Sequence, residues 1–175
     1  MKIFIAGPRA ISVLDKEVKD RLHGIYEKNY TVLVGDANGV DKAIQKYFAT
    51  LNYNNVLVYA SNGNARNNIG SWPVEGVPVS GNAKGFDFYA AKDKAMAHAA
   101  DYGFMLWNGE SKGTLNNIIN LLNDSKKSLV YFSPEKSFVN IDTFESLENL
   151  IISCPSETMN LYKLLLGGQH GKPNP

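Results

Sequence analysis

Largely continuous apolar runs recur along the chain, and each run is followed by a glycine or a polar residue. Continuous apolarity, rather than apolarity at every second position, is typical of strands that are covered on both faces of their sheet. The runs predict strands at residues 2–7, 31–35, 55–60, 103–109 and 128–133.

The segments between the predicted strands carry apolar residues at helical spacing. Their apolar faces comprise Val18, Leu22 and Ile25, then Val40, Ile44, Phe48 and Leu51, and finally Leu115, Ile118, Ile119 and Leu122. Alternation of strands and helices indicates a parallel sheet built from right-handed βαβ units. We therefore predict an α/β fold: a Rossmann-like three-layer sandwich with a mostly parallel sheet of about five strands and helices on both faces.

The remaining segments are less regular. Residues 61–85 are rich in Gly, Asn and Pro without a steady period, so we predict a long functional or disordered loop. Residues 136–141 suggest a short edge strand, and two terminal helices follow with Thr143 and Ser156 as caps. We predict one domain over residues 1–166, in which 134–166 are packing or dimer elements, and a disordered tail at 167–175.

Composition narrows the function classes. The chain has 175 residues, enough for one domain, and a formal net charge of +1 with both signs scattered, so non-specific nucleic-acid binding is disfavoured. Its lone Cys154 and the lack of a Cys/His cluster argue against disulfides and a structural metal and suit a reducing compartment. The apolar runs are too short for a signal peptide or a membrane span, so we expect a cytoplasmic protein without a membrane partner.

The first candidate ligand loop follows the first predicted strand. In open parallel sheets, ligands lie outside the carboxyl ends of the strands, where helix N-termini favour anions. Gly7 permits a tight exit from the strand, Pro8 follows, and Arg9 offers a planar cation suited to phosphate or carboxylate. Arg9 is alternatively an ordinary surface arginine.

The second candidate loop connects the second strand to a helix that is expected to begin near Val40. Gly35 and Gly39 would let backbone amides approach a ligand. Asp36 and Asp41 are possible acceptors for ribose hydroxyls, although Asp41 alternatively complements the helix dipole. The spacing does not match the dinucleotide fingerprint. The candidate residues of this loop are Gly35, Asp36, Ala37, Gly39, Val40 and Asp41.

The third candidate loop follows the strand at 103–109 and supplies backbone donors, hydroxyls and a lysine just before a helix that is expected to begin near Leu115. Such a turn can hold a phosphate, although it lacks the P-loop order. The alternative is a glycine turn with Thr114 as a helix cap. The candidate residues are Asn108, Gly109, Ser111, Lys112, Gly113 and Thr114.

The third predicted helix adds charged candidates. Lys92 and Asp93 are adjacent, so we expect one of them to reach the ligand and the other to be solvated. Met96 is expected in the core. The histidines have no acid or nucleophile partner in the sequence, so the pattern does not favour a histidine mechanism.

Four motifs stand in order along the chain: IAGPRAI (5–11), GDANGVDKAIQKYF (35–48), KDKAMAHAAD (92–101) and WNGESKGTLNNI (107–118). Together they resemble the SLOG superfamily of Rossmann-like nucleotide-binding domains, particularly its YspA/YpsA-like branch. The similarity covers residues 1–133, with a looser likeness at 130–141. That superfamily includes Lonely Guy phosphoribohydrolases, DprA proteins and sensors of nucleotide-derived signals, and it is related to nucleoside 2-deoxyribosyltransferases.

The resemblance implies that the three loops form the ligand-binding shell, with Gly109, Ser111, Gly113 and Thr114 as the phosphate-cradling turn. Pro8 stands where the family often has serine and removes one backbone donor. Lonely Guy enzymes have, three residues after the threonine, a glutamate that is needed for N-glycosidic cleavage. Asn117 occupies that position here, and an amide cannot act as nucleophile or general base.

We therefore expect the chain to bind a nucleotide or nucleotide-derived small molecule, which it senses, sequesters or carries. Arg9, with Arg66 or Lys92, would supply counter-charges; a base would stack on Trp72 or Trp107, unless Trp107 belongs to the core. The polar edges of the ligand would meet the loop asparagines. These are Asn62, Asn64, Asn67 and Asn68.

The alternative is an N-glycosidase or 2-deoxyribosyltransferase that acts on nucleoside monophosphates, with Asp36 or Asp93 as the working carboxylate. A DprA-like interaction with single-stranded DNA is disfavoured by the nearly neutral charge. No metal or other cofactor is predicted. Because relatives often pair through helices and residues 147–166 are apolar, we expect a homodimer or higher homo-oligomer.

Overall fold

The computed structural model describes residues 1–170, whose strands form one seven-stranded sheet in the order β4-β3-β2-β1-β5-β6-β7. The elements are β1 Lys2–Ala6, α1 Lys16–Glu27, β2 Thr31–Val34, α2 Val40–Thr50, β3 Val56–Ser61, β4 Val74–Val77, α3 Phe86–Ala99, β5 Tyr102–Trp107, α4 Lys112–Asn123, β6 Ser128–Phe132, β7 Ser137–Ile141, α5 Phe144–Ile151 and α6 Ser156–His170. Only β7 is antiparallel to its neighbour. The predicted α/β sandwich is confirmed.

The sheet has two strands beyond the five apolar runs. The suggested edge strand is present as β7, which pairs with β6. The prediction of a continuous loop over 61–85 is wrong for Val74–Val77, because β4 extends the sheet beside β3. This short strand lies at the edge and is largely exposed, so its sequence VEGV carries no apolar run.

The helices cover both faces of the sheet. On one face, α1 and α2 bury Leu22, Ile44 and Phe48 against strand residues such as Ile5. On the other face, the buried residues of α3, α4, α5 and α6 pack against strand residues such as Phe4. Each fully buried large apolar side chain contributes about 1.5–3 kcal/mol, so both layers contribute to stability.

The chain reverses its direction of sheet growth at β1. After β1 the strands add outwards as β2, β3 and β4, and α3 then returns the chain to β5, on the other side of β1. The carboxyl ends of β1 and β5 therefore flank a switch point, which is where open α/β sheets leave a crevice.

The C-terminal elements are packed rather than detached. Thr143 caps α5 in a capping box, as predicted. Tyr162 and Leu165 of α6 lie in the core. The segment expected to be disordered starts at residue 167, but α6 continues to His170; residues 171–175 lie outside the described part of the chain. Among residues 1–170, no helix is long and apolar enough to cross a membrane.

Candidate functional site

A cleft of about 480 Å³ lies between α3 and α4, beside the carboxyl end of β1. This volume is within the range of small-molecule sites. Residues from all three predicted loops and from α3 meet in it. Its lining residues are Ala6, Gly7, Arg9, Ala37, Asp41, Arg66, Gly85, Phe86, Tyr89, Lys92, Asp93, Met96, Ser111, Gly113, Thr114 and Asn117.

The N-terminus of α4 forms one wall of the cleft. The expectation of a helix start near Leu115 is wrong, because α4 begins at Lys112 with Ser111 as its N-cap. The Ser111 Oγ accepts a hydrogen bond from the Thr114 N–H at 3.4 Å, so Thr114 is not the cap. The N–H groups of Lys112 and Gly113 fall in the first turn, where no acceptor exists inside the helix. Apart from the adjacent residues and the backbone of α4 itself, no atom lies within 4 Å of a Cβ built on Gly113, so this turn is open.

The turn before α4 is held by other parts of the protein. Asn108 Oδ1 accepts the N–H groups of Glu110 and Ser111 at 3.0 and 2.9 Å, so these two amides are already used. Gly109 adopts a φ of 81°, and its carbonyl accepts a hydrogen bond from Thr158 of α6 at 2.6 Å. Asn108 and Gly109 therefore shape the turn without lining the cleft.

The turn before α2 is closed by the first loop. The Val40 N–H donates to the Pro8 carbonyl at 3.3 Å, so the residue that removes one donor also supplies an acceptor. Gly39 has a φ of 80°, and a Cβ there would lie 2.4 Å from the Arg9 Cα. A Cβ on Gly7 would lie 2.7 Å from the Val40 side chain. These glycines allow the two loops to pack together, and Pro8, Gly39 and Val40 do not line the cleft.

The Asp41 carboxylate forms a hydrogen bond within the loop that precedes α2. Its Oδ2 accepts the Ala37 N–H at 3.1 Å, and a Cβ on Gly35 would lie 2.5 Å from that oxygen. Burial raises the pKa of Asp41 to about 6, against the opposing charge of Lys92. Gly35 is thus needed to seat Asp41 and lies outside the cleft lining.

Asp36 is the centre of a buried ion-pair cluster. Arg66 donates to both of its carboxylate oxygens, at 2.8 and 3.2 Å, and Lys92 Nζ lies 3.1 Å from Oδ1. The side chains of Asp36 and Lys92 are each 3% exposed. Burial acts to raise the pKa of Asp36, but the hydrogen bonds from Arg66 and the charge of Lys92 outweigh it and hold the pKa at about 2. The carboxylate is engaged by cations and does not line the cleft.

Lys92 is buried and Asp93 is partly exposed, and both line the cleft. Adjacent positions on a helix are about 100° apart, and a cleft that wraps one side of α3 can be lined by both. Burial raises the pKa of Asp93 to about 7, against the charge of Lys92. Met96, one turn further along α3, is buried as expected and also borders the cleft.

The ring of Tyr89 lies close to three cationic groups at the cleft. The Arg66, Arg9 and Lys92 cationic groups lie 4.4, 5.4 and 5.6 Å from its ring centre. Each such contact contributes about 0.5–2 kcal/mol. Arg66 and Lys92 are also paired with Asp36, and Asp41 and Asp93 line the same cleft, so Arg9 is the one of the three cations without a carboxylate partner among the described residues. The Lys112 ammonium lies 4.0 Å from the ring centre of Phe86 and does not itself line the cleft.

Asn117 lies one turn below the start of α4. It lines the cleft and is 5% exposed, and its Oδ1 atom has no hydrogen-bond partner. A buried acceptor without a donor costs about 1–3 kcal/mol, so such atoms are rare in folded proteins.

The tryptophans and three of the four loop asparagines, Asn62, Asn67 and Asn68, make hydrogen bonds within the protein, and none of the four, including Asn64, lines the cleft. Trp107 is fully buried and Trp72 is 6% exposed, and the indole N–H of Trp72 donates to the Tyr53 carbonyl at 2.7 Å, so neither ring is available for a base. Asn67 bonds to the Asp36 carbonyl, and Asn68 to the Trp72 backbone. Both therefore brace the long loop.

Nine of the seventeen predicted ligand residues meet in the cleft. They are Gly7, Arg9, Ala37, Asp41, Lys92, Asp93, Ser111, Gly113 and Thr114. The others shape the loops, as described for Pro8, Gly35, Asp36, Gly39, Val40, Asn108 and Gly109, or point away, as Lys112 does. Sequence reasoning missed Gly85, Phe86 and Tyr89 as lining residues, although their position in the first turn of α3, at the same sheet edge as the three loops, was a usable signal.

No protein-family model, curated protein or solved structure matches the chain. The SLOG resemblance therefore stays a prediction. Within residues 1–170, no group of three or more His, Cys, Asp or Glu side chains is arranged to hold a metal ion.

Proposed function

We propose that the protein binds a nucleotide or nucleotide-derived small molecule in the cleft between α3 and α4, as a sensor, carrier or store of that molecule. The single observation that carries this proposal is the convergence in one cleft of an open helix N-terminus, three cationic side chains and an unpaired buried amide oxygen.

An anion would lie at the start of α4. The first-turn amides and the helix dipole favour negative charge there, worth up to about 2 kcal/mol when partly buried. Arg9 lies at the rim, where it is exposed and free of a carboxylate partner among the described residues. Arg66 and Lys92 are paired with Asp36. They would therefore act on the anion through their electrostatic field more than through direct contacts.

Asp41 and Asp93 would adapt the cleft to the anion. Their pKa values are raised to about 6 and about 7, so part of the population is already protonated near neutral pH. A bound anion disfavours the charged carboxylates and raises both pKa values further. Binding should therefore take up protons, which calorimetry in buffers of different ionisation enthalpy can detect.

The direct test is calorimetric titration with ribonucleoside mono- and diphosphates, cyclic nucleotides and ADP-ribose. Arg9→Ala should weaken the best ligand about tenfold, as expected for the loss of one charge-assisted contact. Arg21→Ala is the matched control, because Arg21 is also exposed and stacked on an aromatic ring, 4.8 Å from Phe138, outside the cleft. Absence of binding at millimolar concentration, or equal losses in both variants, would contradict the proposal.

A second candidate function is N-glycosidic cleavage or deoxyribosyl transfer on a nucleoside monophosphate. The observation in its favour is that Asp93 lines the cleft with a pKa of about 7, suited to a general acid that protonates the leaving base. Asp36, the other candidate, is occupied by Arg66 and Lys92. Chromatography should then detect a released free base, and Asp93→Asn should abolish its release. Full turnover by that variant would remove Asp93 from the mechanism.

A further inference from the structure

A groove of about 510 Å³ lies at the opposite edge of the sheet from the cleft. It runs beside α1 and over the amino ends of β1, β5 and β6, where Ile3, Tyr102 and Leu129 line it. Its floor is apolar, because Ile3 and Phe104 are 3% and 2% exposed and Leu129 is partly buried among apolar residues. The groove is therefore separate from the cleft, which lies beside the carboxyl end of β1.

This groove lies where the helix layer on one face of the sheet is incomplete. In the described part of the chain, α1 and α2 are the helices that pack on this face, whereas α3, α4, α5 and α6 pack on the other. Leu129 of β6 and Phe138 of β7 belong to the face of α1 but are only partly buried. A further helix beside α1 would cover them and continue the layer, at the usual interaxial distance of about 8–10 Å.

Two cations of α1 border the groove. Arg21 and Lys28 are exposed, and neither has a carboxylate partner among the described residues. The Arg21 guanidinium is held 4.8 Å from the ring centre of Phe138. The one acidic residue that lines the groove, Asp20, is itself paired with Lys16 at 3.2 Å. The rim is therefore complementary in charge to a partner that carries carboxylates.

Gly24 leaves a gap between the two cations. Apart from the adjacent residues and the backbone of α1 itself, no atom lies within 4 Å of a Cβ built on Gly24. Glycine inside a helix is less favourable than alanine, and neither a positive φ nor a close contact within the protein requires it here. Arg21, Gly24 and Lys28 are spaced by three and four residues, so they form one row on α1 that is about 10 Å long. An apolar side chain of a partner would fit at Gly24, between carboxylates that meet the two cations.

We propose that this groove binds an amphipathic acidic helix of a partner protein, which carries two carboxylates seven residues apart and an apolar residue three or four positions after the first. The apolar residue packs over Gly24 and Leu129, and the carboxylates pair with Arg21 and Lys28. The spacing favours a helix, because residues seven apart on a partner helix match the seven-residue separation of the two cations on α1. The interaction is independent of nucleotide binding in the cleft.

Two synthetic peptides test the proposal on the unsubstituted protein. Both are stapled, because short helices are marginal in water, and both carry Leu as the apolar residue. One peptide has Glu at the two positions seven residues apart, and the other has Lys there. In calorimetry the Glu peptide should bind at least tenfold more tightly than the Lys peptide, and in a 15N spectrum it should shift the backbone amides of Gly24, Ile25 and Leu129. No binding of the Glu peptide at millimolar concentration, equal affinities of the two peptides, or shifts confined to other residues would overturn the proposal.

A charge reversal sharpens the test. The double variant Arg21→Glu, Lys28→Glu should reverse the preference, so that the Lys peptide binds more tightly than the Glu peptide. The matched control is Lys19→Glu, Lys46→Glu, which changes the net charge equally at exposed residues outside the groove and should keep the original preference. A preference that does not reverse, or that reverses in the control as well, would overturn the proposal.

The variant Gly24→Ala separates a binding role from a structural one. Alanine favours the helix, so the melting temperature should rise, but its methyl group fills the gap and should weaken the Glu peptide about fivefold. Unchanged or tighter binding of the peptide would show that nothing enters the gap and would overturn the proposal.

The other possible occupants give different results. Decanoate that binds at the same amides more tightly than the Glu peptide would make the groove a site for small apolar carboxylates. A dimer in sedimentation that Arg21→Glu, Lys28→Glu dissociates would make the groove a contact between two copies of this chain. Either result would overturn the proposal, which predicts weak or no binding of decanoate and no change of oligomeric state in the double variant.

Discussion

The glycine-containing turns before α2 and α4 look alike in sequence but differ in what occupies them. At α2, the Val40 N–H is bonded to Pro8, and Gly39 is packed on the Arg9 backbone. At α4, the space beside Gly113 is open and adjoins a cleft that contains the unpaired oxygen of Asn117. A glycine-rich turn before a helix thus indicates that another group approaches its backbone closely. That group can be a neighbouring loop of the protein as easily as a ligand.

The turn before α2 supports the structure around it, whereas the turn before α4 is open to a ligand. The turn before α2, with Asp36 and Asp41, holds loops, Arg66 and Lys92 in place. The turn before α4 presents its donors to the cleft that this scaffold shapes. Substitutions before α2 should therefore act on stability first, and substitutions before α4 on binding first.

The largest effect is expected on removing the charge of Asp36. Asp36→Asn leaves the buried Lys92 ammonium without its closest partner, and breaking a buried ion pair costs about 3–5 kcal/mol. Urea unfolding should show this loss. The double variant Asp36→Asn, Lys92→Met should recover part of it, because the buried ammonium is gone, and Asp41 and Asp93, which then lose the opposing charge of Lys92, can bind protons. A double variant that is less stable than Asp36→Asn would show that the cluster is not the scaffold described here.

Substitutions of Gly39 and Gly113 give the clearest comparison between the two turns. Gly39→Ala combines a φ of 80° with a Cβ that would lie 2.4 Å from the Arg9 Cα, so we expect a loss of about 3 kcal/mol in the free energy of unfolding. Gly113→Ala has open space and a helical position, so it should stabilise by about 0.5–1 kcal/mol. The same variant should weaken nucleotide binding, because its Cβ enters the cleft. Equal stability of the two variants would contradict the distinction between the turns.

Stability should fall as the pH rises from about 5 to 8. Asp41 and Asp93 have pKa values raised to about 6 and about 7 in the folded protein, so their contribution is present below the unfolded-state pKa and is lost as the pH rises through the folded-state values. One pKa unit corresponds to about 1.4 kcal/mol, so the combined loss should reach about 2 kcal/mol or more.

At acid pH, the free energy of unfolding should change with pH in the opposite direction. The pKa of Asp36 is lowered to about 2, so its contribution is present above the unfolded-state pKa and is lost as the pH falls from about 4 to 2.

Asp93→Asn should flatten the decline between pH 5 and 8 in a thermal unfolding series. An unchanged decline in that variant would assign the effect to other groups.

The smallest loss of stability is expected at the helix caps. Ser111→Ala and Thr143→Ala each remove an N-cap hydrogen bond, of α4 and of α5 respectively, and each should cost about 1 kcal/mol. Only Ser111→Ala should also weaken nucleotide binding in calorimetry, because only Ser111 lines the cleft. A comparable loss of binding in Thr143→Ala would mean that general destabilisation, and not the open turn, limits binding.

The sequence predicts the inner sheet because strands buried on two faces must be apolar throughout. It does not predict β4, since the exposed edge lacks that constraint. It misplaces the start of α4 because Ser111 and Thr114 are both good caps and Lys-Gly between them gives no clear helix signal.

The site is only partly predictable for a related reason. The loops were found because they follow strands that end at one sheet edge. The pairing of Asp36 with Arg66 and Lys92 joins residues 30 and 56 positions apart, which no local spacing reveals. Whether a glycine faces a ligand or a neighbouring loop also depends on tertiary contacts, as Gly39 shows.

The most direct test of the central claim is a 15N-labelled titration with AMP, GMP, CMP and UMP that follows the backbone amides of both turns. We predict that at least one nucleotide produces its largest shifts at Lys112 and Gly113, with small shifts at Gly39 and Val40, whose surroundings are already filled by the protein. Largest shifts at Gly39 and Val40, or no shift at either turn with any of the four at millimolar concentration, would contradict the account.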